Sequence, residues 1–456
     1  LNDRPGDRLH DRPGDRLNDR PDDRANDSPP TRRFRSFSAP ALSFQREGDP
    51  EVAENLRTAL SVPPLPDRLE ADDRRELESA LCTHLFHSFA GRAHPLTIRQ
   101  LLCDLPLSAT VLDPFVGSGT VLVEAVLRGG RAIGCDISEL ALRLARFKAT
   151  PLPPSMGRAL VEAAERISEA SLARVHARKR PQKVWDKPQF YPPHVYLELC
   201  GLRIEIDRLV QSDPPIGEAL LLVFSSIVVK ASRQRSETNP TLFERHIAAG
   251  QVSRWFFAKA SEVARLHAAL WTRVQALGAG AAKERPLCVS GDARTVLSDS
   301  QALPLWAGSV DCIVTSPPYL GTYDYVDHHQ RRYPWLGIDP APIARSEMAA
   351  RRHGDERRLD DLQRTHQQDS DRWLAGAARL LKPDGKLYVL VGDSLVQGEV
   401  VRGDLPIRRA AESAGLRFLA RVAAERPHFL SSQGPEQSTP EAPRLEHLLA
   451  FTSSRA

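Results

Sequence analysis

Two short stretches hold residue types at spacings that can do chemistry. The first, Asp113-Pro114-Phe115-Val116-Gly117-Ser118-Gly119-Thr120, joins the apolar run Ala109–Leu112 to an amphipathic segment, Val121 to Leu127. It reads as strand, tight turn, helix. A helix opened in this way directs its free N–H groups and positive dipole end at the crevice where such folds take ligands. Gly117 and Gly119 put no side chain between a ligand and the backbone, and both tolerate positive φ. A bound cofactor is the functional reading; for an isolated G-x-G a plain strand-to-helix turn is the simpler one. The second stretch, Thr315-Ser316-Pro317-Pro318-Tyr319, follows another apolar run, Val310–Val314, and Gly291-Asp292-Ala293-Arg294 follows a third, Leu287–Ser290.

Together, DPFVGSGT and SPPY resemble motifs I and IV of the S-adenosylmethionine-dependent amino-methyltransferases that modify the exocyclic nitrogen of cytosine or adenine in DNA. The resemblance covers about residues 84–150 and 285–453. It implies a Rossmann-like class I methyltransferase, an α/β fold with a seven-stranded, mostly parallel sheet. It also implies S-adenosylmethionine as cofactor and DNA as partner. By resemblance Asp113 lies near the methionine amino group, with Phe115, Gly117, Gly119 and Thr120 around it, and Asp292 near the adenine. Asp136 ends the short strand Arg131–Asp136 about 20 residues past the Gly-rich turn, where nucleotide-binding α/β folds place an acid on the ribose hydroxyls; a helix cap is its alternative role. The segment His84 to Pro95 looks like the His-Pro stretch that closes over the methionine end of the cofactor.

An exocyclic amine is a poor nucleophile because its lone pair is delocalised into the ring. Acceptors aimed at its N–H groups draw it toward tetrahedral geometry. In SPPY the Ser316 hydroxyl and the Pro317 carbonyl supply them, and Pro317 and Pro318 stiffen the loop. Tyr319 is expected to stack on the target base; one such stack returns roughly 1–3 kcal/mol against the few that base extrusion costs. The sulfonium already activates the methyl group, so neither metal nor covalent intermediate is needed. Ser at the head of motif IV is closer to cytosine-N4 enzymes, while adenine-N6 enzymes usually carry Asp. The rival readings are an RNA amino-methyltransferase of the tRNA-guanine type and a catalytically silent nucleic-acid-binding subunit.

The remaining chain must position these residues. Residues 1–48 open with an Asp/Arg/Pro octapeptide repeat that has almost nothing to bury, and are expected to be disordered. Residues 49–108 read as a helical N-terminal segment, 109–150 and 285–456 as the catalytic domain, and 151–284 as a helical insertion. The insertion is a candidate for nucleic-acid contact or target recognition. It holds the basic clusters Arg178, Lys179, Arg180, Lys183 and Lys230, Arg233, Arg235, interleaved with aromatics. Tyr323 and Arg331, beyond motif IV, are further candidates, with a solvated helix face as the bland alternative.

Composition sets wide bounds. With 62 Lys+Arg against 58 Asp+Glu the net charge of +4 gives no global nucleic-acid signature, so any basic surface must be local. The six cysteines are scattered and read as buried, reduced thiols. His84, His87 and His94 lack Cys or carboxylate partners at ligand spacing, so no metal is expected. No apolar run is read as a membrane span, and the charged N-terminus does not read as a signal peptide, which leads to the expectation of a cytoplasmic protein.

Overall fold

A computed structural model describes residues 41–62, 71–177, 181, 183–236, 239–278, 284–426 and 445–454. The octapeptide repeat and the candidates Arg178, Lys179 and Arg180 lie outside the described residues.

Eight strands form the central sheet: β1 (Phe44–Gly48), β2 (Thr110–Asp113), β3 (Arg131–Asp136), β4 (Leu287–Ser290), β5 (Val310–Thr315), β6 (Leu381–Gly392), β7 (Leu416–Glu425) and β8 (Leu445–Ser453). Their spatial order is β1-β7-β8-β6-β5-β2-β3-β4. The run from β6 to β4 is parallel throughout. Strand β8 is reversed between β6 and β7. That gives the seven-stranded unit implied by the motifs, a Rossmann-like α/β fold. The eighth strand is a correction to the expected tail boundary: β1, placed by sequence in the disordered tail, pairs antiparallel with β7 from Phe44 opposite Ala424 to Gly48 opposite Ala420. Its residues, FQREG, are mostly exposed, so backbone pairing at the sheet edge holds it more than side-chain burial.

Side-chain alternation sends neighbouring residues to opposite faces of the sheet. Val111 and Cys312 join one core with α1 (Pro50–Leu60) and α2 (Thr120–Leu127); Leu112 and Ile313 join the other with the later helices Leu359–Leu380 and Asp404–Ser413. Helix α2 is buried at all eight positions, which explains its apolar sequence TVLVEAVL. After it come α3 (Glu139–Ala149), α4 (Pro154–His176), α5 (Pro193–Ser212), α6 (Pro214–Ala231) and α7 (Gln251–Gln275).

The segment expected as an insertion forms α4 to α7, and its core is continuous with the catalytic elements. One hydrophobic cluster contains Leu160, Leu199, Phe224 and Phe256 from these helices together with Leu140 and Leu144 of α3, Phe86, Phe89, Tyr333 and Trp335. Helix α6, whose Ala219–Val229 run reads in the sequence as a buried helix or strand, has the length and hydropathy of a membrane span, 1.5 over 18 residues; 72% of that window is buried inside the fold, as in a core helix.

The order of strands reverses at β2, which has β3 on one side and β5 on the other. This is the switch point at which open α/β sheets bind ligands beyond the carboxyl ends of their strands. Motif I leaves β2 there and motif IV leaves β5.

Candidate active site

Strands β2 and β5 run in register, Val111 beside Cys312 and Leu112 beside Ile313, so Asp113 and Thr315 end side by side. The Thr315 hydroxyl donates to Asp113 Oδ1 at 2.7 Å, and the Phe115 amide donates to the same oxygen at 3.0 Å. Next door, Asp136 ends β3. It accepts from the Gly117 amide at 2.9 Å on Oδ2 and from the Ser138 amide at 2.9 Å on Oδ1. Ser138, not Asp136, is the cap of α3, accepting from the Ala141 amide.

One cavity is lined by Asp113, Phe115, Gly117, Thr120, Asp136 and Asp292 on one side and by Ser316 and Pro318 on the other. The Gly-rich turn and the SPPY loop therefore face the same space. Burial pushes the Asp113 carboxyl up to about 7, opposed by its two hydrogen bonds and assisted by the neighbouring Asp136 charge. Burial likewise pushes Asp136 up to about 6, against the backbone N–H groups that favour its ionised form. Two acids poised near neutrality in one cavity form a site that welcomes a cation and hydroxyl donors.

The two glycines of the turn have different jobs. Gly117 (φ 46°) lines the cavity, and a Cβ there would meet only the edge of Phe89, at 3.4 Å. Gly119 (φ 84°) does not line it; a Cβ there would lie 2.6 Å from Ala145 Cα on α3. Gly119 is thus a packing residue, against the expectation of cofactor contact. Asp292 stands on the cavity wall with its charge engaged: it caps the turn Ala293–Val296 and is paired with Arg294, which also reaches Asp369 at 3.0 Å and the Ser346 carbonyl at 2.9 Å.

Within SPPY, Ser316 Oγ and the Tyr319 hydroxyl share a hydrogen bond of 3.2 Å. Pro317 and Tyr319 are buried behind the loop. The Tyr319 ring lies 6.2 Å from that of Tyr323, and burial raises its hydroxyl above the ordinary tyrosine range. No open face of Tyr319 lines the cavity. Phe89, Phe115 and Tyr325 do line it; the Tyr325 ring lies 5.6 Å from that of Tyr323 and stacks at 6.1 Å on Phe89 of the His-Pro stretch.

The three histidines of that stretch have separate partners. His84 Nε2 bonds Glu124 at 2.9 Å in a buried group that Arg99 completes, His87 Nε2 bonds Ser225 at 2.8 Å, and His94 Nδ1 caps the helix Pro95–Leu101. Of the basic candidates, Arg331 is withdrawn from any phosphate: its guanidinium sits 3.6 Å over the Phe190 ring and pairs with Asp186 at 3.2 Å. Lys230 lies 3.9 Å over Trp255 and Lys183 5.5 Å over Trp185, while Arg235 is exposed on the strand Gln234–Ser236.

Sequence reasoning missed two cavity neighbours. Glu347 is buried on the cavity wall; its Oε1 accepts from the Tyr325 amide at 2.7 Å and its Oε2 from Arg352 at 2.7 Å. Lys148 is fully buried behind Ser118. Neither belongs to a motif. Glu347 carries no local signal, and Lys148 reads as an ordinary basic residue in the last turn of a helix.

Comparison with known proteins gives a family match over the segment that holds the Gly-rich turn. Residues 97–147 match the family model described as DNA methylase. Among curated proteins the chain is similar to the type II methyltransferase M.MvaI of Kocuria varians, 31% identical over 166 residues, which cover 34% of this chain and 35% of that protein. The chain thus matches about a third of that relative's length. Among solved structures it is similar to TrmN from Thermus thermophilus (13% identity, 83% of this chain and 52% of that one, TM-score 0.32). It is also similar to the rRNA methyltransferase aviRa from Streptomyces viridochromogenes (14% identity, 78% and 83%, TM-score 0.28). Over the segment that holds the Gly-rich turn the chain is thus similar to DNA methylases.

Proposed function

We propose that the chain transfers the methyl group of S-adenosylmethionine to the exocyclic amine of a base rotated out of duplex DNA, cytosine N4 rather than adenine N6. The observation that carries this reading is the single cavity shared by Asp113, Gly117 and Asp136 with Ser316 and Pro318. Donor and acceptor must meet in one space, and here the two motif ends enclose it.

The residues present fit the cofactor. Asp113 offers a buried carboxylate for the methionine ammonium, Asp136 offers acceptors for ribose hydroxyls, and Gly117 leaves the turn open. When bound, the sulfonium supplies an activated methyl group. The chain's own part is positioning. Ser316, steadied by the Tyr319 hydroxyl, accepts from the amine N–H, so the nitrogen lone pair turns toward the methyl carbon. With the donor bound, the amine nitrogen held there would take the methyl group, S-adenosylhomocysteine would be the leaving group, and the proton released from nitrogen would pass to bulk water. Tyr325 and Phe89 supply aromatic surface at the mouth.

The test is methyl transfer from labelled S-adenosylmethionine to duplex DNA and to total RNA in parallel, followed by nucleoside analysis. The expected result is label in DNA as N4-methylcytosine, reduced about tenfold or more in Tyr319→Ala; Tyr319 is buried away from the cavity, against the expected base stacking, so the loss is that of the hydroxyl that steadies Ser316. Label as N6-methyladenine would reassign the base. Label in RNA alone, or none while the cofactor binds, would overturn the DNA reading.

A further inference from the structure

Lys148 ends α3 with its side chain at 0% exposure. A buried ammonium is normally paired, because transferring an isolated charge out of water costs several kcal/mol. Lys148 has no ion pair among the described residues. Its one hydrogen bond is from Nζ to Ser118 Oγ, at 3.4 Å, the long end of the range. Burial drives the amine well below the ordinary lysine range, and the charge of another cation, Arg92, adds to the effect. Such an arrangement weakens the empty protein and needs a reason.

The reason lies on the other side of Ser118. Ser118 lines the cavity between Gly117 and Thr120, and Arg92 lines it from the His-Pro stretch, with Nη1 donating to the carbonyls of His84 and His87 at 3.1 Å. Ser118 and Arg92 thus line the cavity, and Lys148, which does not line it, stands behind Ser118. Asp113 and Asp136, the two acids, stand beside the same turn. This is charge arranged for a zwitterion, with an anion site adjacent to a cation site.

We propose that Lys148, acting with Ser118 and Arg92, holds the α-carboxylate of the methionine end of the methyl donor. The assignment rests on S-adenosylmethionine as the cofactor. Lys148 is a positioning residue in this scheme: it fixes the amino-acid end through Ser118 and does not touch the transferred methyl. Binding of the carboxylate supplies the counter-charge that the empty site lacks, so affinity and the relief of a buried charge are the same event.

The experiment compares the affinities of S-adenosylhomocysteine and 5′-methylthioadenosine, which lacks the amino-acid end, in the full chain and in Lys148→Met. The variant is expected to bind S-adenosylhomocysteine about thirtyfold or more weakly, the loss that follows truncation of a buried charge partner. Its affinity for 5′-methylthioadenosine should be unchanged. Its ligand-free melting temperature should be equal to or above that of the parent, because an unpaired buried charge is gone. Equal losses for both ligands with a lowered melting temperature would show a structural lysine and overturn the proposal, as would unchanged binding of both. Should Lys148→Met not fold, the parent chain is tested with the methyl ester of S-adenosylhomocysteine. A loss of about thirtyfold supports a charge-recognising carboxylate site. Equal affinity for acid and ester overturns it. If the parent binds neither adenosyl ligand, the cofactor reading itself falls, and this inference with it.

Discussion

Asp113→Asn is expected to weaken binding of S-adenosylhomocysteine on the order of a hundredfold to a thousandfold, while the protein keeps its fold. The substitution is nearly isosteric, and the asparagine carbonyl still accepts from Thr315 and Phe115, the two bonds that tie β2 to β5 and to the turn. What is lost is the negative charge opposite the ligand's ammonium. Removing one member of a buried, hydrogen-bonded charge pair costs about 2–5 kcal/mol. The pH dependence sharpens the test. Burial places the Asp113 carboxyl at about 7 in the empty site, and its charged neighbour Asp136 at about 6. An ammonium ligand selects the ionised form, so affinity should rise with pH and level off above 7. Below that value each titrating carboxyl costs up to about tenfold per pH unit. In Asp113→Asn the slope between pH 6 and 7 should flatten, leaving the fall below 6 that belongs to Asp136. Stability runs the other way. A carboxyl raised above its unfolded value of about 4 holds its proton in the fold, so its contribution is present below that value and is lost as pH rises through 7. The parent should therefore lose stability relative to Asp113→Asn between pH 4 and 7 while it gains affinity. Calorimetric titration and thermal melts across this range check both signs; an unchanged affinity or an unchanged slope would remove Asp113 from the ammonium site.

What could be read from the chain and what could not divides along the range of the signal. The turn Asp113 to Thr120 and the strand ends at Asp136 and Thr315 are local: an apolar run, a Gly or Pro break, and a polar residue at the break. Their side-by-side placement is not local; it comes from the parallel register of β2 with β5. Burial of charge is not local. Arg331 reads as a phosphate contact because His328, His329 and Arg332 surround it, yet Phe190 and Asp186, more than 140 residues upstream in the chain, enclose it. Lys148 in the segment RFKAT looks like any base at a helix end. Only the approach of Ser118 and the 84–92 segment reveals that it is sealed from water. Strand β1 escaped notice for the opposite reason. Its polar sequence has no period-2 apolar pattern, since backbone pairing with β7, the single ring of Phe44 and ion pairs of Arg46 and Glu47 hold it.

Gly119→Ala is expected to destabilise the fold by about 2–5 kcal/mol, in contrast to Gly117→Ala two residues earlier. Position 119 has φ 84°, a left-handed conformation that costs a residue with a Cβ roughly 1–2 kcal/mol. The added methyl would also lie 2.6 Å from Ala145 Cα and 2.9 Å from Ala145 Cβ. Backbone cannot step aside as a flexible side chain can, so α2 and α3 must separate, an overpacking cost of about 1–3 kcal/mol. For a chain of 456 residues, at about 2.1 cal/mol/K of unfolding entropy per residue, each kcal/mol moves the midpoint by about 1 °C, which gives a fall of about 2–5 °C in a thermal melt. At Gly117 the nearest atom is the Phe89 ring edge at 3.4 Å, and that ring borders the cavity, where it has room to give. Gly117→Ala keeps only the left-handed penalty, and its larger consequence falls on the ligand that approaches the turn. The pair separates two reasons for a glycine in one motif: loss of melting temperature at 119 and loss of ligand affinity at 117. Equal melting losses at both positions, or a melt for Gly119→Ala equal to that of the parent, would refute the packing role assigned to Gly119.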